Sequence, residues 1–322
     1  MDTQMNSNIV EDLSRVNLDS IIIPVMSEIK EETLTKKFPD KFSEMNLIEG
    51  PSGVYSYEDR FGKVQYKKLQ SIEQEQIPFL GIFAQSATTL GPEFIGIVSE
   101  SYQFVGHDII NLKIKEMVEQ AGTPLLGEHI HLSNNIAEMV NEIVIRNIKT
   151  VERVGDVCPQ LIVTNSYNGH KAVTVAFGFS VTSGSERVGS SLRNKLGVLR
   201  QIHIVSSKSK LVSAVSEFVQ VFNDNIINTI ESNFNTPVTE PDFLHVLDMI
   251  EQIGKKKRND ISAYISENYP SQLNAWNLFN TICKFSTIEK HINTRILLDN
   301  IAEKVLILPV EFSRMMQTLT EG

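Results

Sequence analysis

The chain of 322 residues has two cysteines, a single tryptophan and no long apolar run. Cys158 and Cys283 are too few for a disulfide framework or a four-thiolate metal site, and both lie among apolar neighbours, so reduced core thiols are expected. No apolar stretch approaches the roughly 20 residues that span a bilayer, which argues against a membrane protein. The N-terminus, MDTQMNSNIVEDL, is polar and acidic where a secretory signal is basic and then greasy, so an intracellular, unprocessed chain is expected. Glycine (17) and proline (11) are too sparse for a collagen-like or low-complexity protein, and no internal repeat is present. With 41% hydrophobic and 21% charged residues, the composition is that of a globular protein forming one large domain or two ordinary ones.

Acidic residues are scarce in one region. The formal net charge is −9, which excludes a wholly basic nucleic-acid coat. Between residues 157 and 216, however, one acid, Glu186, stands against Lys171, Arg187, Arg193, Lys195, Arg200, Lys208 and Lys210. That stretch is +6, leaving −15 on the rest of the chain. Such a sign contrast is the main physical clue to function.

The polar first twenty residues and the short, Pro-interrupted Ile21-Ile22-Ile23-Pro24-Val25 predict a loosely attached arm or short strand. Val54-Tyr55-Ser56-Tyr57 and Val64-Gln65-Tyr66 flank a polar turn and predict a small antiparallel hairpin. Phe79-Leu80-Gly81-Ile82-Phe83 and Phe94-Ile95-Gly96-Ile97-Val98 are β-rich, and the second of these is expected to pair with Tyr102-Gln103-Phe104-Val105. After His107, Ile109, Ile110, Leu112, Ile114, Met117 and Val118 recur at helical spacing until Gly122 and Pro124 stop the helix. Residues 134–148 fit either a helix or a strand.

Two β-branched runs, 160–166 and 171–181, flank Asn168-Gly169, whose tolerance of positive φ suits a tight hairpin turn. Residues 182–191, TSGSERVGSS, lack large apolar side chains and read as a mobile loop. Leu211, Val215, Phe218, Phe222, Ile226 and Ile230 then form the core-facing stripe of a long helix. Further helices are expected over 242–253, 260–267, 271–285 and 294–305. The fold class is therefore α+β: an antiparallel β-rich central domain with helices, then an α-helical C-terminal region, with no βαβ alternation. The expected divisions are 1–75 for an N-terminal arm and small hairpin, 76–210 for the central domain and 211–322 for the helical region.

Several chemistries lack their residues. The segment from Gly184-Ser185 through Gly189-Ser190-Ser191 to Lys195 lacks phosphate-cradle spacing, and no G-x-G-x-x-G follows a strand. His129 and His131 alternate on one strand, sterically workable for zinc, but no third or fourth ligand lies nearby, so neither a metal site nor a cofactor is assigned. His107, His170, His203, His245 and His291 are scattered, with no G-x-S-x-G elbow or H-E-x-x-H helix. No catalytic residue is assigned, and an enzyme stays open but unsupported.

Phosphate binding needs Lys and Arg free of neighbouring acids, which residues 157–216 offer. Arg187, Arg193 and Lys195 fall in or just after the hydroxyl-rich segment, where Ser185, Ser190 and Ser191 add hydrogen-bonding capacity for phosphate oxygens. Lys171, Arg200, Lys208 and Lys210 extend the set, and Tyr167 at the hairpin tip is a candidate for stacking on a base. The competing reading is that a buried hairpin lacks acids for packing reasons and its cations only solvate it. Lys255-Lys256-Lys257-Arg258 is a second basic run, read as a solvated linker between helices or as an additional backbone contact. Leu273, Trp276 and Phe279 recur at helical spacing, which points to core packing.

Gly155-Asp156, then Pro159-Gln160-Leu161-Ile162-Val163-Thr164-Asn165-Ser166 with Asn168-Gly169 in the turn, resembles the central hairpin of a phage/plasmid-like family of unknown function. Gly96-Ile97-Val98 to Tyr102-Gln103-Phe104-Val105 resembles its strand pair, and Asn274-Ala275-Trp276-Asn277-Leu278-Phe279-Asn280-Thr281 its Asn-rich C-terminal helix. After the hairpin that family tends to show an Arg and then a Cys-Asn pair, where this chain has Phe179-Ser180-Val181-Thr182-Ser183, so no role of that pair transfers. The resemblance implies a mobile-element setting in the cytoplasm of a bacterial host, and no particular activity. The sequence reading is thus a non-enzymatic DNA-metabolism protein binding single-stranded or distorted DNA, in support of recombination, annealing or replication. The alternative is a phage assembly, virion or host-defence-inhibiting protein that forms a homo-oligomer through its β-rich domain.

Overall fold

The computed structural model describes residues 47–71, 76–87, 90–99, 102, 104–133, 135–169, 173–183, 186–191, 198–201 and 208–307. The expected N-terminal arm lies outside them. The described residues are β-rich and antiparallel first and helical afterwards, an α+β fold. They divide into two compact units. The first holds the residues up to Gly106 together with Asn134–Ala137 and Tyr167–Gly169; the second holds the rest. The division therefore falls at Gly106, inside the expected 76–210 domain, and none separates that domain's later strands from the C-terminal helices.

The first unit is a four-stranded antiparallel meander: β1 (Leu47–Asp59), β2 (Gly62–Ser71), β3 (Gln76–Ser86) and β4 (Glu93–Ser99), paired in that order. The predicted hairpin is β1–β2. Its turn is fixed locally, because Asp59 Oδ1 accepts from the Phe61 and Gly62 N–H groups at 2.8 and 3.1 Å. Gly62 has φ of 151°, and a Cβ there would lie 2.2 Å from the Gln85 carbonyl oxygen. Val64, Tyr66, Leu69, Ile82, Phe83 and Ile97 fill the core.

Among the described residues the expected pairing of 94–98 with 102–105 does not occur. β4 pairs with β3, with Val98 opposite Leu80 and Ile97 opposite Gly81, and the Tyr102 N–H turns back onto the Ser99 carbonyl at 3.0 Å. Phe104 is instead a packing residue, its ring 5.0, 4.9 and 5.0 Å from those of Tyr57, Tyr66 and Tyr167. Alternating apolar residues signal extended chain equally well in a strand and in a segment anchored by its aromatics.

The second unit is built on a seven-stranded sheet. Its path is β10 (Glu186–Ser191), β9 (Val173–Ser183), β8 (Gly155–Ser166), β6 (Glu138–Ile145) and β5 (Leu125–Leu132). The short β7 (Lys149–Val151) also pairs with β8, and β11 (Val198–Gln201) with β9. Residues 138–145, ambiguous from periodicity, are the strand β6. Its Ile143, Val144 and Ile145 are all buried, and a strand covered on both faces reads as a continuous apolar run rather than an alternation.

Register assigns the two faces. Met139, Asn141 and Ile143 align with Asn165, Val163 and Leu161, and the last two with Val175 and Phe177. Helix α1 (His107–Gln120), the helix expected after His107, and α2 (Lys208–Asn235) lie on this face. Phe218 of α2 packs 4.7 Å from Phe177, and Asn111 of α1 reaches Met139. The opposite face carries Val140, Ile162 and Ala176, which pack with Ile292 and Ile296 of α6 (Ile292–Val305). Between α2 and α6 in sequence come α3 (Glu240–Glu251), α4 (Lys255–Asn268) and α5 (Ala275–Thr287), close to the expected helices. Thr239 caps α3 and Asn274 caps α5 through side-chain oxygens. Trp276 is buried, stacked on Phe179 at 6.3 Å, which bears out the packing reading. Cys158 and Cys283 are buried thiols, and neither is in a disulfide.

Two local expectations are corrected here. The 160–166 run and the described residues 173–181 form the β8–β9 hairpin, but among the described residues the last ladder pair is Thr164 with Thr174, too far from Asn168-Gly169 for a two-residue turn. Asn165 and Ser166 pair onward with Met139 and Glu138 of β6, which draws the chain away before Gly169 takes its positive φ of 66°. Residues 186–191 of the expected mobile loop form β10, with Val188 opposite Val181 and Gly189 opposite Ser180. Small residues serve a purpose there: a Cβ on Gly189 would lie 2.9 Å from the Gln160 side-chain nitrogen. Among the described residues no helix is long and apolar enough to cross a membrane.

Candidate functional site

Of the eight residues assigned to nucleic acid, Lys171, Arg193 and Lys195 lie outside the described residues. The backbone places Arg187 on β10 opposite Thr182 and Arg200 on β11 opposite Thr174. β10 and β11 are both ladder partners of β9, so the two arginines mark two ends of one strand's outer side. Lys208 and Lys210 open α2, which starts seven positions after the end of β11. These four positions belong to the second unit and to consecutive elements.

Tyr167 is a correction. It is 0% exposed, its hydroxyl donates to Asp59 Oδ2 at 2.7 Å, and its N–H donates to the Ala137 carbonyl at 2.8 Å. With its ring against Phe104, it offers no face to a nucleobase. The hairpin tip that reads as a solvent loop is part of the first unit's core.

The basic run at 255–258 is corrected too. It is the first turn of α4, not a linker, and Lys257 pairs with Glu289 while Arg258 Nε lies 3.1 Å from Glu251. Cations in a helix's first turn oppose its dipole, and the two carboxylates offset that penalty. Burial works to raise the Glu289 carboxyl, yet the Lys257 hydrogen bond and charge and the His291 N–H hold it below the usual carboxylate value. His129 and His131 fall on β5, and among the described residues no group of three or more His, Cys, Asp and Glu is placed to hold a metal ion.

Sequence reasoning missed a polar layer between the sheet and α6. Arg295 is 2% exposed and its Nη2 donates to Glu142 Oε1 in the middle of β6, while Nη1 has no partner. One turn on, Asp299 accepts from the Ser286 hydroxyl of α5 at 2.5 Å, and that hydroxyl also lies 3.2 Å from the Arg295 carbonyl. Glu303, a further turn along, is 1% exposed. The Glu142 carboxylate and the Gln160 amide lie beneath Gly189, whose N–H points to the Thr287 hydroxyl at 3.5 Å. The layer therefore seats β10, the strand carrying Arg187, on α5 and α6. Its signal in the sequence is that Arg295, Asp299 and Glu303 share the i, i+4, i+8 row of an otherwise apolar inward face. These contacts hold α5, α6 and the sheet in place, a positioning role.

Burial and the neighbouring Tyr102 push the Tyr66 hydroxyl far above the ordinary phenol range, and that hydroxyl has no hydrogen-bond partner. It is a neutral core group, unsuited to proton transfer. A cavity of ≈ 380 Å³ opens between α3, α5 and α6. A shallower space of ≈ 270 Å³ lies between α2 and the β7–β8 turn, where Arg153 has φ of 68°. No protein-family model, curated protein or solved structure matches the chain.

Proposed function

We propose that this chain is a phage- or plasmid-type DNA-metabolism protein. It binds single-stranded or distorted DNA along the outer side of β9, through β10, β11 and the first turn of α2. The observation that carries the reading is seven cations against one acid over residues 157–216. Arg187, Arg200, Lys208 and Lys210 among them fall on consecutive elements of one unit. Lys and Arg on such a track displace the counterions condensed on the phosphates, so affinity falls steeply with salt. The family resemblance supports a mobile-element setting.

Fluorescence anisotropy with a labelled oligothymidylate across a salt series tests this. A log–log salt slope is expected, and Arg187→Gln with Arg200→Gln flattens it by about 1.4, at about 0.7 per single-strand phosphate contact. No anisotropy change at low salt removes the proposal. Assembly is the second reading: among the described residues β1 and β4 edge one sheet, and β1 is 13 residues long. Long open edges are templates for pairing between copies. Light scattering that returns a monomer at all concentrations refutes that reading.

A further inference from the structure

The ≈ 380 Å³ cavity of the second unit lies between residues 236–238, α3, the start of α5 and the end of α6. Its wall is apolar, formed by Val238, Val246, Met249, Leu278, Val305 and Ile307. Cavities of roughly 300–1,000 Å³ with apolar walls and a few polar groups are the usual form of small-molecule sites. The frame is fixed by backbone pairing. The Val238 N–H donates to the Leu273 carbonyl, and the Ala275 N–H to the Thr236 carbonyl, both at 2.9 Å. Buried Asn233 clamps Ile307 from both sides, accepting from its N–H at 2.9 Å and donating to its carbonyl at 2.7 Å. A wall held this way needs little ordering when a ligand enters.

The mouth is polar and carries one ammonium and one carboxylate. Exposed Lys304 turns its Nζ to the Met249 sulfur at 3.5 Å, a weak acceptor, and has no carboxylate partner among the described residues. His245 is exposed beside it. Asp242 is engaged by the Thr239 hydroxyl at 2.6 Å. One spare ammonium above an apolar wall matches a single negative head on an apolar body. The Asp242 carboxylate at the same rim disfavours a dianion such as a phosphate monoester.

We infer that this cavity binds an apolar monocarboxylate, with the body against the wall and the head at Lys304. The site uses no residue of 157–216, so it stands or falls apart from nucleic-acid binding. Calorimetric titration of the full chain with decanoate, decanol and decylamine, each below its micelle or solubility limit, tests it. Decanoate saturates one site, decanol binds about threefold more weakly and decylamine about tenfold more weakly, the size expected for one attractive pair lost and then one repulsion added at an exposed rim. Lys304→Glu, a surface change, reverses the order of decanoate and decylamine. Met249→Trp fills the wall and abolishes binding of both decanoate and decanol while circular dichroism stays unchanged. The inference is overturned if decanoate does not saturate, if the three probes bind alike regardless of Lys304→Glu, or if Met249→Trp leaves binding intact.

Discussion

Replacing Glu142 by Gln removes the carboxylate from a guanidinium that has no other acceptor. Arg295 is 2% exposed, donates through Nη2 to Glu142, and leaves Nη1 without a partner. An uncompensated buried charge costs about 3–5 kcal/mol, and the Gln oxygen still accepts one hydrogen bond, so the lower end, about 3 kcal/mol, is expected. Against a domain stability of about 5–15 kcal/mol that is a large share. With a urea slope of about 1–3 kcal/mol/M it moves the midpoint down by about 1–3 M. The assay is urea unfolding followed by Trp276, the single tryptophan, which lies in the second unit with the pair. The double variant Glu142→Gln with Arg295→Met restores most of the loss, because the stranded charge is gone. A midpoint for Glu142→Gln within about 0.3 M of wild type, on the same slope scale, refutes the reasoning.

Tyr167→Phe loses a hydrogen bond to the Asp59 carboxylate and destabilises the chain by about 1.5–3 kcal/mol, while oligonucleotide affinity stays unchanged. Loss of binding without loss of stability, read by anisotropy beside thermal unfolding, contradicts the buried role. Trp276→Ala opens a cavity between Phe179, Phe234 and Phe279 and costs about 3–5 kcal/mol; a thermal midpoint unmoved in calorimetry counts against the packing account. The Glu289 carboxyl is held below its ordinary 4.5, so its contribution is present above that pH and is lost as pH falls through the lower folded value. Wild type therefore loses stability below pH 4.5 more steeply than Lys257→Met, and equal slopes in acid unfolding rule the pair out as the cause.

The elements legible in the sequence are those whose pattern is set by local rules. The stripe from Val215 to Ile230 is α2, the Gly122-Pro124 stop ends α1, and Asp59-Arg60-Phe61-Gly62 forms its hairpin because the Asp side chain caps its own turn. Where long-range pairing decides, the reading fails. Residues 186–191 form a strand because β9 offers its outer side and Gly189 leaves room for Gln160, facts that no window around TSGSERVGSS contains. Phe94-Ile95-Gly96-Ile97-Val98 is a strand as expected, but its partner is the earlier β3, and sequence proximity had favoured the later segment.

The same logic explains the candidate site. A charge sum over consecutive residues treats a cation as free unless an acid stands beside it, but ion pairs form across the fold. Lys257 finds Glu289 32 residues on, Arg295 finds Glu142 153 residues back, and Tyr167 meets Asp59 108 residues back. Each partner is invisible in the local window, and each removes a residue from the pool available to a ligand. The buried layer between the sheet and α6 bears on the acids in the same way. The acids that face this side of the sheet, Glu142, Asp299 and Glu303, are held in the interior, 7% exposed or less. Such acids are not available at the surface as partners for exposed cations, so the formal net charge of −9 overstates the acids a surface cation can meet.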